Sequence, residues 1–358
     1  MSGFDYGNAR LRAMKSRLFS RRELVAMTEV DSLQGLISTL TKTAYRKPVE
    51  AALVRTSGKD CISEALRQDL INTLGKARNF FSDNAGEMVS IVLRIYDVNN
   101  LKAVLRGLEK NVTPVEVLFS ILPIGELKES ILAELTLAPG PRAAVDQMAS
   151  MGLSFAQPLL KVRAEFPGAS IAEMELALDR WYFQEVYKYS ERTQDTGRVL
   201  LPAIQLEADL INLLTVLRFS DTPGERKHLR EFLVSDDLAH LFVGPGKLPF
   251  SLLARAGKQD TVDAAVEAFT GTSYQEPLKT GLDLFAKSAR LSEFERQLKR
   301  YRLSWMAMQI TNDPLGIGVL LGYLALKNNE INNIRWIAEG ISLGLKSDAI
   351  RTSLEYLQ

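Results

Sequence analysis

The chain has 358 residues, with 44 Lys plus Arg against 43 Asp plus Glu and a single cysteine, Cys61. Balanced charge argues against nucleic acid as the main partner and against a polybasic membrane anchor, both of which need a basic excess. One cysteine excludes an internal disulfide framework and fits a reducing compartment.

The longest apolar run, residues 314–326, has 13 residues, too few to span a bilayer, and the N-terminal stretch carries no hydrophobic signal core. The expectation is a soluble, cytoplasmic chain. Residues 6–19 alternate Arg10, Arg12, Lys15 and Arg17 with Leu11, Met14 and Leu18, the pattern of an amphipathic helix with a basic face. Ser20-Arg21-Arg22-Glu23 has capping-box spacing, and Asp31-Ser32-Leu33-Gln34 starts another helix with Leu33, Leu36, Ile37 and Leu40 inward. Pro48 sits in the first turn of the next. Long helices are predicted over 61–82 and 86–107, parted by Asp83-Asn84.

Thr113-Pro114 is an N-cap followed by a first-turn proline. Pro123 and Pro139-Gly140-Pro141 punctuate short helices, and Ser170-Ile171-Ala172-Glu173 is a second capping box opening a long helix through Arg180, Tyr187 and Glu191. A further long helix follows Gly197 and is closed by Thr222-Pro223-Gly224. After the Gly244-Pro245-Gly246 turn, helices are predicted near 260–271 and 278–311. Asp313-Pro314 opens an apolar helix over 314–327, Asn328-Asn329 breaks it before a last long helix, and Ser347 caps a terminal one. Period-two runs rich in β-branched residues are missing, so the fold class is all-α.

One stretch occurs three times. Asp97-Val98-Asn99-Asn100-Leu101 returns as Asp209-Leu210-Ile211-Asn212-Leu213 and as Glu330-Ile331-Asn332-Asn333-Ile334. In each, an acid precedes Asn by three residues and apolar residues follow with helical spacing, which places acid and amide on one flank beside an apolar stripe. Arg106 and Arg218 end the first two copies, and Glu339 takes that place in the third. A second landmark, an aromatic three residues before Pro, precedes each copy: Tyr45/Pro48, Phe155/Pro158 and Tyr274/Pro277, with Pro-to-Asn offsets of 52, 54 and 56 residues. A weaker marker links Pro123-Ile124-Gly125-Glu126-Leu127 with Pro245-Gly246-Lys247-Leu248. Together they predict an internal triplication with a period of about 115 residues. The three helical domains are expected over residues 1–112, 113–225 and 226–358.

Reactive chemistry is not apparent. Gly244-x-Gly246-Lys247 lacks both the upstream Gly and the following Ser or Thr of a phosphate loop, having Leu241 and Leu248 there. His228 and His240 stand apart from any Cys, and Cys61 reads as a small apolar filler. The three acid–amide pairs have a metal-site reading, but a recurring structural contact is favoured. In that reading each buried Asn is satisfied by a nearby acid or helix end.

The opening Tyr6-Gly7-Asn8-Ala9-Arg10-Leu11-Arg12-Ala13-Met14, the segment Asp313-Pro314-Leu315-Gly316-Ile317-Gly318 and the last acid–amide helix through Trp336 and Ile341 carry a family resemblance. The chain resembles the C subunit of the archaeal and bacterial V-type (A-type) ATPases, a relative of the eukaryotic V-ATPase d subunit, along essentially its whole length. That resemblance implies a non-catalytic funnel of three similar helical domains around a pseudo-threefold axis, needing no cofactor. It implies a place in the central rotor, on the cytoplasmic side of the membrane. There the protein links the shaft subunits of the soluble head to the membrane rotor ring and couples ATP hydrolysis or synthesis to proton or sodium translocation. Candidate partner-binding residues are Arg10, Arg12 and Arg17 on the first helix and Arg296, Lys299 and Arg300 further on. Competing readings are an α-helical repeat scaffold for an unrelated partner and a helical enzyme with a dispersed acid site.

Overall fold

The computed structural model describes residues 3–193, 197–221 and 242–357. It is all-helical, 73% helix, with no strand among the described residues. His228, His240 and Thr222-Pro223-Gly224 lie outside the described residues. In chain order the helices are α1 (Asp5–Lys15), α2 (Arg21–Met27), α3 (Leu33–Leu40), α4 (Arg46–Leu53), α5 (Gly58–Arg78) and α6 (Asp83–Glu109). Next come α7 (Pro114–Ser120), α8 (Glu129–Leu135), α9 (Pro141–Ser150), α10 (Ala156–Glu165), α11 (Ile171–Arg192) and α12 (Gly197–Asp221). The chain continues with α13 (Phe250–Gly257), α14 (Val262–Glu267), α15 (Gln275–Ser288), α16 (Ser292–Asn312), α17 (Gly318–Ser342) and α18 (Ser347–Ser353).

The chain divides into two compact units, residues 1–175 with 307–358 and residues 176–306. The first unit therefore holds both ends of the chain, and its boundaries fall inside α11 and α16. Its centre is α17, with sixteen of its residues buried, and α6, with thirteen. Both are covered along most of their length, although Trp336 of α17 stays exposed. In the second unit Phe183, Phe269, Tyr274 and Phe294 are among the largest fully buried side chains.

Local chemistry sets many boundaries. Both capping boxes at Ser20/Glu23 and Thr113/Glu116 are formed, and Ser170 and Glu173 exchange the same bonds. α6 and α17 end alike. Val112 N–H returns to the Gly107 carbonyl at 2.8 Å around left-handed Asn111, and Leu345 N–H returns to Gly340 at 2.9 Å around left-handed Gly344. This six-to-one closure satisfies carbonyls that the helix leaves open.

Several sequence expectations are corrected. The first helix stops at Lys15, which leaves Arg17 beyond it. The single helix expected over 278–311 is two, because Ala289 takes a left-handed conformation (φ 53°) that ends α15. Asn328-Asn329 does not interrupt α17: Asn328 donates to Leu324 O (2.9 Å) and Tyr96 Oη (3.2 Å), and Asn329 donates to Glu355 O (2.9 Å). Amides satisfied by the i−4 carbonyl and by tertiary partners leave the helix backbone intact. Asp313 caps α17 from further away than expected, accepting from Gly318 N–H at 2.8 Å. Ser347 is the first residue of α18, not its cap. Among the described residues, one helix segment, Arg198–Asp221, is long and apolar enough to cross a membrane by length and composition, with 56% of its apolar window buried inside the protein.

Candidate functional site

The three acid–amide pairs lie on α6, α12 and α17, and each fastens its helix to an extended stretch of chain. Asn100 donates through Nδ2 to the Leu122 carbonyl (2.7 Å) and accepts through Oδ1 from the Leu122 N–H (2.7 Å). Asn212 makes the same pair with Val243 (2.8 and 2.9 Å), and Asn333 with Glu355 (2.8 and 3.0 Å). Each amide thus imitates a peptide group and satisfies both polar groups of one residue. The partner is an extended backbone, not the neighbouring acid or a helix end that the sequence suggested.

The acids complete the joint one turn earlier on the helix. Asp97 accepts from Glu126 N–H (2.6 Å) and Leu127 N–H (3.1 Å), and Asp209 from Lys247 N–H (3.0 Å) and Leu248 N–H (3.1 Å). Both carboxylates are fully buried. Gly125 and Gly246 are required there, since a Cβ would come within 2.1 Å of Asp97 Oδ2 and 1.9 Å of Asp209 Oδ1. The segment 244–247, with its partial likeness to a phosphate loop, is wrapped around the protein's own carboxylate.

The tyrosine landmarks join these clusters. Tyr45, Phe155 and Tyr274 are the N-cap residues of α4, α10 and α15, and Pro48, Pro158 and Pro277 each occupy the third helical position. An N–H there has no intrahelical partner, so proline loses nothing. Tyr274 donates its hydroxyl to Asp209 Oδ2 (2.7 Å), and Tyr45 donates to Glu330 Oε1 (2.6 Å). Buried Phe155 has no hydroxyl to offer.

The Glu330 cluster is the most charged. Glu330 accepts from Phe19 N–H (2.5 Å), and the Lys327 ammonium lies 3.0 Å from Glu330 Oε1, 2.8 Å from Asp69 Oδ2 and 2.8 Å from Tyr45 Oη. Lys327 also sits 4.4 Å from the Tyr45 ring centre. Lys327, Asp69 and Phe19 carried no signal in the sequence, because nothing in their own neighbourhoods marks them.

Burial dominates the proton affinities. It raises Asp97 from 3.8 to about 6, against the opposing pull of the Glu126 and Leu127 N–H groups. It also raises Asp209, more than the Tyr274 hydroxyl and the Lys247 and Leu248 amides lower it. Tyr45, Tyr274 and Tyr323 are pushed up by burial and then by neighbouring carboxylates. The three tyrosines therefore keep their protons near neutral pH.

The remaining marked residues are spread out. Arg106 pairs with Glu175 of α11, and Glu339, at the same place on α17, pairs with Lys59 of α5 at 2.9 Å with the charges exchanged. Arg218 lies at the corresponding place near the end of α12. Of the candidate partner residues, Arg10 lies over the Phe80 ring (5.3 Å) and Arg12 donates to the Pro314 carbonyl (2.5 Å). Arg17 is exposed, Arg296 and Lys299 pair along α16 with Glu293 (3.5 Å) and Glu295 (2.6 Å), and Arg300 is half-buried. Among the described residues no group of three His, Cys, Asp or Glu converges as a metal site.

Residues 7–353 match the model of the ATP synthase (C/AC39) subunit family, and the chain belongs to that family. It is 26% identical over 355 residues to the A-type ATP synthase C subunit of Methanosarcina acetivorans, covering 99% of this chain and 93% of that one. The C subunit of the Haloquadratum walsbyi A-type ATP synthase is 24% identical, with 97% and 96% covered, and that of Pyrococcus abyssi 22% identical, with 97% and 89% covered. The Asn8–Gly316 and Arg12–Pro314 bonds join two of the segments that carried the resemblance.

Proposed function

We propose that this chain is the non-catalytic central-rotor subunit of a V-type (A-type) ATPase or ATP synthase. In this reading it joins the shaft subunits of the soluble head to the membrane rotor ring on the cytoplasmic side. It transmits torque between ATP hydrolysis or synthesis and proton or sodium translocation. The observation that carries the reading is the family match over residues 7–353. The joints are compatible with it: a torque-bearing part needs stiffness, and close-packed helices fastened to their connections by buried, charge-assisted hydrogen bonds resist deformation. We further read the chain as an internal triplication over 1–112, 113–225 and 226–358, arranged as a funnel about a pseudo-threefold axis.

The test is affinity capture of the tagged native protein from gently solubilised membranes, with mass spectrometry of what comes with it. Co-recovery of shaft and ring subunits is expected. Recovery of unrelated partners alone would overturn the rotor reading in favour of a helical scaffold. Charge reversal of Arg296, Lys299 and Arg300 tests α16 as a partner surface, with loss of assembly expected and unchanged assembly removing that surface.

A further inference from the structure

The second half of α17 carries one face that the described residues leave open. Asn332, Arg335, Trp336, Glu339, Ser342 and Leu343 recur at the three- and four-residue spacing of a single helix stripe. All are exposed except Glu339, which is half-buried, whereas Ile334, Ile337 and Ala338 between them are buried. Trp336 is 56% and Leu343 65% exposed. The other two copies fill the corresponding places differently. Counted from the acid, Arg335 and Trp336 match Lys102 and Ala103 on α6 and Leu214 and Thr215 on α12, and those four are half-buried. In the third copy a tryptophan thus replaces Ala103 and Thr215 and stands in the open.

The charges on this stripe do not balance. Glu339 is answered by Lys59 at 2.9 Å. Arg335 has no hydrogen bond or ion pair among the described residues. Neighbouring atoms shield its guanidinium from part of its water, which lowers its proton affinity, and no carboxylate compensates. A guanidinium stays charged in such a place and is met best by a carboxylate, which can accept two of its N–H groups at once. Arg and Trp are also among the residue types most often central to binding.

We propose that this stripe seats a helix of another polypeptide, one that brings an Asp or Glu to Arg335 and apolar side chains to Trp336 and Leu343. Spacing of three, four and seven residues is the pattern by which one helix reads another. The stripe's own acid is held from within the chain, so its unanswered charge is positive and calls for an acid on the partner. A second copy of this chain docked through the same stripe would offer Arg335 a carboxylate already taken by Lys59. The proposal goes beyond the rotor reading, which names subunits but no residue of this helix.

The test is the full chain with the photo-crosslinker p-benzoylphenylalanine in place of Trp336, made in its native cells and irradiated in gently solubilised membranes. Crosslinked peptides are read by mass spectrometry. The expected product joins position 336 to a helical segment of another polypeptide, with an Asp or Glu within one turn of the crosslinked residue. Adding Arg335→Glu is expected to cut its yield at least tenfold, Arg335→Lys to cut it less, and changing the partner's acid to Arg to restore the yield of Arg335→Glu. That restoration requires a folded chain, so it separates a lost contact from a lost fold. Crosslinks confined to this chain or joining two copies of it would overturn the proposal. So would a partner segment with no acid near the crosslink, or a yield indifferent to Arg335→Glu. The rotor reading fails separately: capture of unrelated partners sinks it and leaves an acid-dependent crosslink standing, whereas capture of shaft and ring subunits with no crosslink from position 336 does the reverse.

Discussion

The Asp209 and Glu330 joints solve one problem with different chemistry. Each brings a buried carboxylate, an Asn three residues later and a tyrosine from a distant helix N-terminus onto an extended backbone. At Asp209 the charge is met by hydrogen-bond donors, two backbone N–H groups and the Tyr274 hydroxyl. At Glu330 one backbone N–H is available, and the Lys327 ammonium, shared with Asp69, supplies what a second would. A joint neutralised by dipoles loses one bond at a time when it is damaged, whereas one built on a buried ion cluster fails abruptly.

The largest expected effect follows from that contrast. Lys327→Met leaves Asp69 and Glu330 without their cation and is expected to cost about 3–5 kcal/mol in urea unfolding. Adding Asp69→Asn recovers part of the loss, because only one carboxylate then lacks a partner.

Asp97 has neither tyrosine nor lysine, and its pKa of about 6 lies above the ordinary 3.8. A raised folded-state value means that the protonated form favours folding. This contribution is complete below about pH 4 and lost as pH rises through 6, roughly 3 kcal/mol in all. The ionised form faces Glu126 and Arg78 as well as the two amides. Asp97→Asn is expected to flatten this part of the stability–pH profile between pH 4 and 7, measured as the difference from the parent chain.

Asn212→Ala removes two hydrogen bonds and leaves the buried Val243 N–H and carbonyl unmet, an expected cost of about 2 kcal/mol. Tyr274→Phe removes a single charge-assisted bond and should cost about 1.5 kcal/mol, less than Tyr45→Phe, whose hydroxyl also contacts Lys327. Equal losses for the two tyrosine variants in chemical denaturation would erase the contrast between the joints.

The acid–x–x–Asn helices were legible because helical spacing and a long repeat are both properties of sequence. The glycine marker shared by residues 123–127 and 245–248 was visible too, though its cause, a carboxylate pressed against the backbone, was not. What stayed hidden acts through the main chain or from far away. Phe19 and Glu355 contribute backbone groups, which any residue offers. Lys327 lies three residues before Glu330 yet gains its meaning from Asp69 and Tyr45, more than 250 positions away. Asn328-Asn329 suggested a break for the same reason, since Tyr96 and Glu355, which help to satisfy its amides, belong to other parts of the chain.

Native-state amide hydrogen exchange tests most directly the claim that these joints fix the connections to the long helices. The amides of Leu122, Leu127, Val243, Leu248, Phe19 and Glu355 should exchange nearly as slowly as the cores of α6, α12 and α17, although all lie outside regular helix. Exchange at these six positions as fast as in exposed turns would contradict the account.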